Sequence, residues 1–122
     1  FYSSVSKDEQ ARRFERRSND PLRNWKLSEV DLQAQDLWDE FSEKKQAMLQ
    51  KTHTKECPWW IIKSDDKHKA RRETMKLILS SVRYRGRRRN LNFNPDPKIV
   101  VPGDIELKRM KKQVIKYGKP LG

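Results

Sequence analysis

Trp59-Trp60-Ile61-Ile62 follows Pro58 and runs directly into Lys63-Ser64-Asp65-Asp66. A short β-branched and aromatic run of this kind suits a buried strand, and the polar residues end it. Helical periodicity then begins at once. From about Lys67 to Val82, the residues Ala70, Thr74, Leu77, Ile78 and Ser81 share one face, widened by Met75, Leu79 and Val82, which predicts a helix well buried late in its course. Strand, acidic turn and helix in that order make half of a βαβ unit, and the polar loop at the strand's C-terminal end is where open α/β sheets bind ligands. The class expected is therefore α/β.

Charged residues make up 38% of the 122 residues and hydrophobic ones 34%. In an unpatterned chain that balance leaves too little apolar burial to offset about 1–2 kcal/mol of ordering entropy per residue. The aromatic residues argue for order, since Phe14, Trp25, Trp38, Phe41, Trp59 and Trp60 all fall in patterned segments of the first half. An ordered region through about Tyr84 is expected. No run approaches the roughly 18 consecutive apolar residues of a membrane span. Cys57 is the single cysteine and can form no internal disulfide, so a reducing cytoplasm is the default. The chain opens on Phe1 with no basic-then-apolar leader, and Phe1 to Val5 already reads as β-rich. It is expected to begin inside a larger protein.

Ser6-Lys7-Asp8-Glu9 has the form of a capping box and predicts a helix through Arg17, stopping before Asn19-Asp20-Pro21. Only Ala11 and Phe14 share an apolar face, while Arg12, Arg13, Arg16 and Arg17 spread over the remainder, so a mobile cationic element is expected. Ser28 with Asp31 repeats the cap, and Leu27 with Leu32 fits a hydrophobic staple. One helix ending near Gln50 is predicted there. Its buried stripe is Val30, Ala34, Leu37, Trp38, Phe41, Met48 and Leu49, broken only around Lys45.

Arg83 to Asn90, RYRGRRRN, is a basic connector. Asn94-Pro95-Asp96-Pro97 and Val101-Pro102-Gly103-Asp104 are turn signals around the short run Ile99-Val100-Val101. A last helix is predicted from Ile105 to Tyr117, with Leu107, Met110, Val114 and Tyr117 as its stripe and Gly118 and Pro120 as its stop.

His53, Cys57 and His68 fit no structural zinc spacing and lack a fourth ligand. No Ser-His-Asp or Cys-His arrangement with a supporting motif is present, and the glycines at 86, 103, 118 and 122 build no phosphate-cradling loop. Charge carries the signal. Lys+Arg number 29 against 17 Asp+Glu, a formal net charge of +12, and the basic positions group as Arg12, Arg13, Arg16 and Arg17 with Arg23 and Lys26, then Lys67, Lys69, Arg71 and Arg72, then the arginines from 83 to 89. A solvated helix face is the bland explanation. An excess this large nevertheless points to a polyanionic partner, and Arg is the residue suited to bidentate phosphate contacts. A nucleic-acid binder and an enzyme acting on phosphate-rich substrates both satisfy the composition.

Ser6-Lys7-Asp8-Glu9-Gln10, Arg13-Phe14, Arg17, Pro21, Trp25-Lys26 and Ser28 are followed by Asp31-Leu32, Trp38-Asp39, Thr52, Thr54, Pro58-Trp59, and Asp65 with Lys67 and Arg71. In this order and spacing, over residues 1–82, the sequence resembles the C-terminal part of the polyphosphate kinase 2 family. The resemblance implies the C-terminal part of a P-loop kinase-like (thymidylate kinase-like) fold, mostly helical within this chain. It also implies phosphoryl transfer between inorganic polyphosphate and a nucleotide (ADP/ATP or AMP) with magnesium. Residues 1–27 would form the lid region, 28–84 a helical segment with a core strand and helix, and 85–122 a connector and tail with a helix. On the family pattern Arg13, Arg17 and Lys26 are the lid's phosphate-binding residues, and Asp65, Lys67 and Arg71 lie on the nucleotide side. A helix N-cap is the competing reading for Asp65 or Asp66.

The family's Walker A Lys and its Walker B Asp-Arg pair, which handles magnesium, have no counterpart in this sequence, so the chain alone is expected to be inactive and the magnesium ligands to lie elsewhere. A homo-oligomer is expected, with no membrane association and with nucleic acid not the partner. The alternative is a basic nucleic-acid-binding module centred on RYRGRRRN, in which substituting Arg85, Arg87, Arg88 and Arg89 would abolish salt-dependent duplex binding.

Overall fold

The computed structural model describes residues 1–122 as a mixed α/β structure. β1 (Tyr2–Ser4) leads into α1 (Lys7–Ser18), a 3-10 turn (Asn24–Lys26), the short α2 (Glu29–Gln33) and α3 (Trp38–Thr52). β2 (Trp60–Lys63), α4 (Lys67–Ser81), β3 (Val100–Pro102) and α5 (Gly103–Tyr117) follow. The strands form one sheet in the order β1-β2-β3. β1 runs parallel to β2, with Tyr2 opposite Ile61, and β3 runs antiparallel to it, with Ile61 opposite Val101.

Successive residues of a strand face opposite sides of its sheet, and the neighbours Ile61 and Ile62 accordingly seed separate cores. Ile62 packs with Ala70, Leu77 and Val100 beneath α4. Ile61 packs with Leu49 and Met110 between α3 and α5, flanked by Tyr2, Trp59 and Leu107. Burying a side chain of this size contributes about 1.5–3 kcal/mol. Thirteen of the 122 residues are buried, so polar interactions carry an unusual share of the assembly. Glu106 of α5, whose side chain is fully buried, accepts from Lys45 Nζ of α3 at 2.6 Å, Lys63 Nζ of β2 at 2.9 Å and Arg109 at 2.8 Å. Burial pulls the Glu106 carboxyl upward; the hydrogen bonds from Arg109, Lys45 and Lys63 outweigh it and hold the group well below the usual carboxylate range.

Several expectations are corrected. The half βαβ unit does not close in parallel, because β3 is antiparallel to β2. Glu73 Oε2 of α4 accepts the Asp96 N–H at 2.8 Å, so the connector runs back along α4 and enters the sheet at the C-terminal end of β2. The single helix from Ser28 to Gln50 is two helices, separated by turns at 34–37. Gln35 Nε2 donates to Gln10 Oε1 at 2.6 Å and to the Lys7 carbonyl at 3.2 Å, contacts to α1 that a continuous helix would forgo. Val30, Leu32 and Phe41 are exposed, and Lys45, taken for a break in the stripe, is buried on Glu106.

Late in its course α4 is buried only in part: Leu77 enters the core, whereas Met75, Ile78 and, just past the helix, Val82 are exposed. The four residues of β2 extend only about 13 Å, too short to cover the roughly 22 Å of a 15-residue helix. The ordered core also extends past Tyr84, since Val100 and Met110 belong to it. Where a turn was expected at Pro102-Gly103, Gly103 opens α5. Its N–H donates to the Trp59 carbonyl at 2.8 Å, and a Cβ there would lie 2.6 Å from His53 Nδ1.

The cap of α1 forms in part. Ser6 Oγ accepts from the Glu9 N–H at 3.3 Å, but the Ser6 N–H donates to Asp65 Oδ1 at 2.8 Å, and Glu9 instead pairs with Arg12 and Arg13. In α2 the full box forms between Ser28 and Asp31. No helix is long and apolar enough to cross a membrane.

Candidate anion-binding site

α1 buries none of its residues and is held to the body by polar contacts. Arg13 donates to the Ser64 carbonyl at 2.6 Å and the Asp65 carbonyl at 3.1 Å, at the turn between β2 and α4. Arg13, Arg16 and Arg17 stand at i, i+3 and i+4, so they share a face of α1. After the helix, Asp20 caps the reversal by accepting the Leu22 N–H at 3.0 Å, and Trp25 Nε1 donates to the Leu22 carbonyl at 2.9 Å. This reversal carries Arg23 and Lys26 back beside α1. On the opposite wall, Asp66 caps α4 by accepting from the His68 and Lys69 N–H groups, both at 3.0 Å, which places Lys67 as the first helical residue.

These elements border an open cleft of about 290 Å³ lined by Arg13, Arg16, Arg17, Arg23, Lys26 and Lys67 and nothing else. Carboxylates balance part of the charge from behind, Glu9 on Arg13 at 2.6 Å, Asp20 on Arg23 at 3.2 Å and Asp31 on Arg17 at 3.8 Å. Arg16, Lys26 and Lys67 pair with no carboxylate. Arg13 foremost, then burial and the neighbouring Arg16, Arg71 and Arg17, push the Lys67 ammonium below its ordinary range. Hydrogen bonds from Arg12 and Arg13 lower the Glu9 carboxyl, and the Ser28 N–H, chiefly, lowers Asp31. Every lining side chain is a donor, so the cleft can hold and neutralise a multiply charged anion. Relief of this mutual repulsion favours the bound state.

Of the residues nominated from sequence, Arg13, Arg17, Lys26 and Lys67 meet in this basin. Asp65 does not line it; its Oδ1 anchors the Ser6 N–H. Arg71 lies one turn beyond Lys67 and borders a separate open cleft with Phe1, Ser64 and Met75. The N-cap of α4 is Asp66. Arg16 and Arg23 complete the basin without having been singled out, although both stand in the basic groups visible in the sequence and Arg16 shares its face with Arg13. His53 Nδ1 accepts the Trp59 N–H at 3.0 Å, a structural duty.

The fold and the basin together define an α/β protein in which six cationic side chains line one cleft. The family model for polyphosphate kinase 2 matches residues 1–90, and the chain belongs to that family. It is 44% identical over 102 residues to a GDP-polyphosphate phosphotransferase of Pseudomonas aeruginosa, covering 84% of this chain and 29% of that protein. It is 45% identical over 100 residues to NDP-polyphosphate phosphotransferase 2 of Ruegeria pomeroyi, covering 82% of this chain and 29% of the relative. An ADP-polyphosphate phosphotransferase of Pseudomonas aeruginosa is 40% identical over 85 residues, 70% of this chain and 28% of that one. The chain thus spans under a third of the length of these relatives.

Proposed function

We propose that this chain is the phosphate-gripping part of a phosphotransferase that moves a phosphoryl group between inorganic polyphosphate and a nucleoside diphosphate or monophosphate. The observation that carries the reading is the cleft lined by six cationic side chains and no other group. Family membership and the relatives' names, which specify GDP, ADP and NDP as nucleotides, support the substrate classes. In phosphoryl transfer there is little covalent chemistry for a protein to perform; rate comes from positioning and from neutralising charge on the transferring group. Arg16, Arg17, Arg23 and Lys26 would bind the oxygens of the phosphate chain. Lys67, on the facing wall, would meet the phosphates nearer the nucleotide, with Asp65 and Arg71 on the nucleotide side of the same turn.

α1 and the reversal after it would act as a lid. The helix buries no side chain, and its hold on the body is polar: the Arg13 fork on Ser64 and Asp65, the bond from Ser6 to Asp65, and the Gln35 bonds to Gln10 and the Lys7 carbonyl. Closure would bring the donors onto the phosphates and exclude water. The complete enzyme would have the P-loop kinase-like fold that the resemblance implies and would use magnesium to neutralise phosphate charge. No three His, Cys, Asp or Glu side chains of this chain converge as a metal site, and the magnesium ligands would lie outside it. The exposed free thiol of Cys57 suits a reducing cytoplasm.

The test is steady-state transfer from polyphosphate to ADP and GDP by the full-length protein. Replacing Arg17 or Lys26 with Ala is expected to lower kcat by about 10²–10³-fold with the melting temperature unchanged. Rates equal to the unsubstituted enzyme would overturn the assignment.

A further inference from the structure

The basic segment 83–89 takes no part in the basin. Arg83, Arg85, Arg87, Arg88 and Arg89 are all exposed, and none pairs with a carboxylate. Their situation contrasts with Arg12, Arg13, Arg17, Arg23, Arg72 and Arg109, each of which has an acidic partner. Gly86, at φ +81°, turns the segment in a conformation that L side chains rarely adopt. Arg87 lies 4.9 Å above the Phe93 ring, which fixes one guanidinium against the connector. A purely solubilising surface would mix its charges; here no Asp or Glu occurs between Glu73 and Asp96.

We infer that residues 83–89 form a second polyanion site that grips the distal part of a long inorganic polyphosphate whose reacting end lies in the basin. The inference rests on the proposed substrate. Lys67 opens α4 and Arg83 stands just past its end, so the two sites are separated by about the 22 Å length of a 15-residue helix. Arg71, one turn past Lys67 on that helix, also has no acidic partner and lines the neighbouring cleft. A phosphate chain of a few units reaches only one site; a long chain reaches both, and the second contact becomes intramolecular, raising apparent affinity without any new chemistry at the reacting end. Inorganic phosphate is favoured over nucleic acid because it is the substrate proposed for the basin on the same chain and because Arg87 covers the face of Phe93; Tyr84, exposed beside these arginines, is an aromatic on which a base could stack, and the oligonucleotide arm of the test decides that point.

The experiment compares the full-length protein with R85Q/R87Q/R88Q/R89Q, reading binding of tripolyphosphate and of long-chain polyphosphate by competition at low salt. Expected is a loss of at least about tenfold in affinity for the long chain, an unchanged affinity for tripolyphosphate, and an unchanged melting temperature. The charge-preserving variant R85K/R87K/R88K/R89K should retain most of the long-chain affinity. Equal affinities in the unsubstituted and Gln proteins, or an equal loss for both ligands, would overturn the inference. Tighter binding of a single-stranded oligonucleotide of matched charge, lost in the Gln variant, would overturn it in favour of nucleic acid. Binding is read without turnover, so a protein that grips long polyphosphate through these arginines yet transfers nothing counts against the proposed reaction alone.

Discussion

Replacing Glu106 with Gln should leave Lys45, Lys63 and Arg109 facing one another without a counter-charge. Removing one member of a buried ion cluster typically costs about 3–5 kcal/mol, and a fall of that size in unfolding free energy is expected from urea denaturation; a loss under about 1 kcal/mol would mean the cluster is not a structural centre. Glu73 gives the pH dependence. The Asp96 N–H first, then Arg72 and Lys76, lower its carboxyl to about 2. A carboxylate depressed in the folded state adds stability that is complete above its unfolded value, near 4.3, and disappears as pH falls through the folded value. Melting temperature should therefore fall between about pH 4.5 and pH 2, and E73Q should make that fall shallower, the remainder coming from the likewise depressed Glu106. Neither carboxylate announces itself in the sequence. Lys45 and Glu106 are separated by 61 positions, and pairing over that span leaves no local pattern, so Lys45 read as a defect in an apolar stripe.

At the scale of elements, Gly103 marks where α5 is pressed onto the strand behind it. An added Cβ would meet His53 Nδ1 at 2.6 Å and the Trp59 carbonyl oxygen at 3.1 Å. G103A is expected to destabilise by about 1–3 kcal/mol; a neutral substitution would show that the two can part freely. Caps, the helical periods of α4 and α5, and the strand expected at Trp59–Ile62 and found one residue later at Trp60–Lys63 were legible because each is written within a few adjacent residues. Strand direction was not. Val100–Pro102 is three residues long, and its antiparallel course follows the connector's return to the C-terminal end of β2, where Ile62 faces Val100. The break between α2 and α3 likewise falls where Gln35 meets α1, a contact with no local signature. The cationic half of the basin on α1 was legible from spacing and from resemblance, whereas its meeting with Lys67 required the tertiary fold.

For the molecule as a whole, the net charge of +12 includes one open basin and one exposed run of arginines, while the other cations divide between ion pairs, as at Arg12, Lys45, Lys63 and Arg109, and unpaired lysines such as Lys108, Lys111 and Lys112 of α5. Polyanion affinity should accordingly be steeply salt-dependent, since each neutralised phosphate of a flexible single strand contributes about 0.7 to the slope of log affinity against log salt. The decisive measurement is this slope for tripolyphosphate or a similarly short polyphosphate, in the full-length protein and in R16A/R17A/K26A. Binding in the basin predicts that the triple substitution lowers the slope by about 2, weakens affinity, and leaves the melting temperature in place. An unchanged slope with unchanged affinity would contradict the assignment of the basin as the phosphate site.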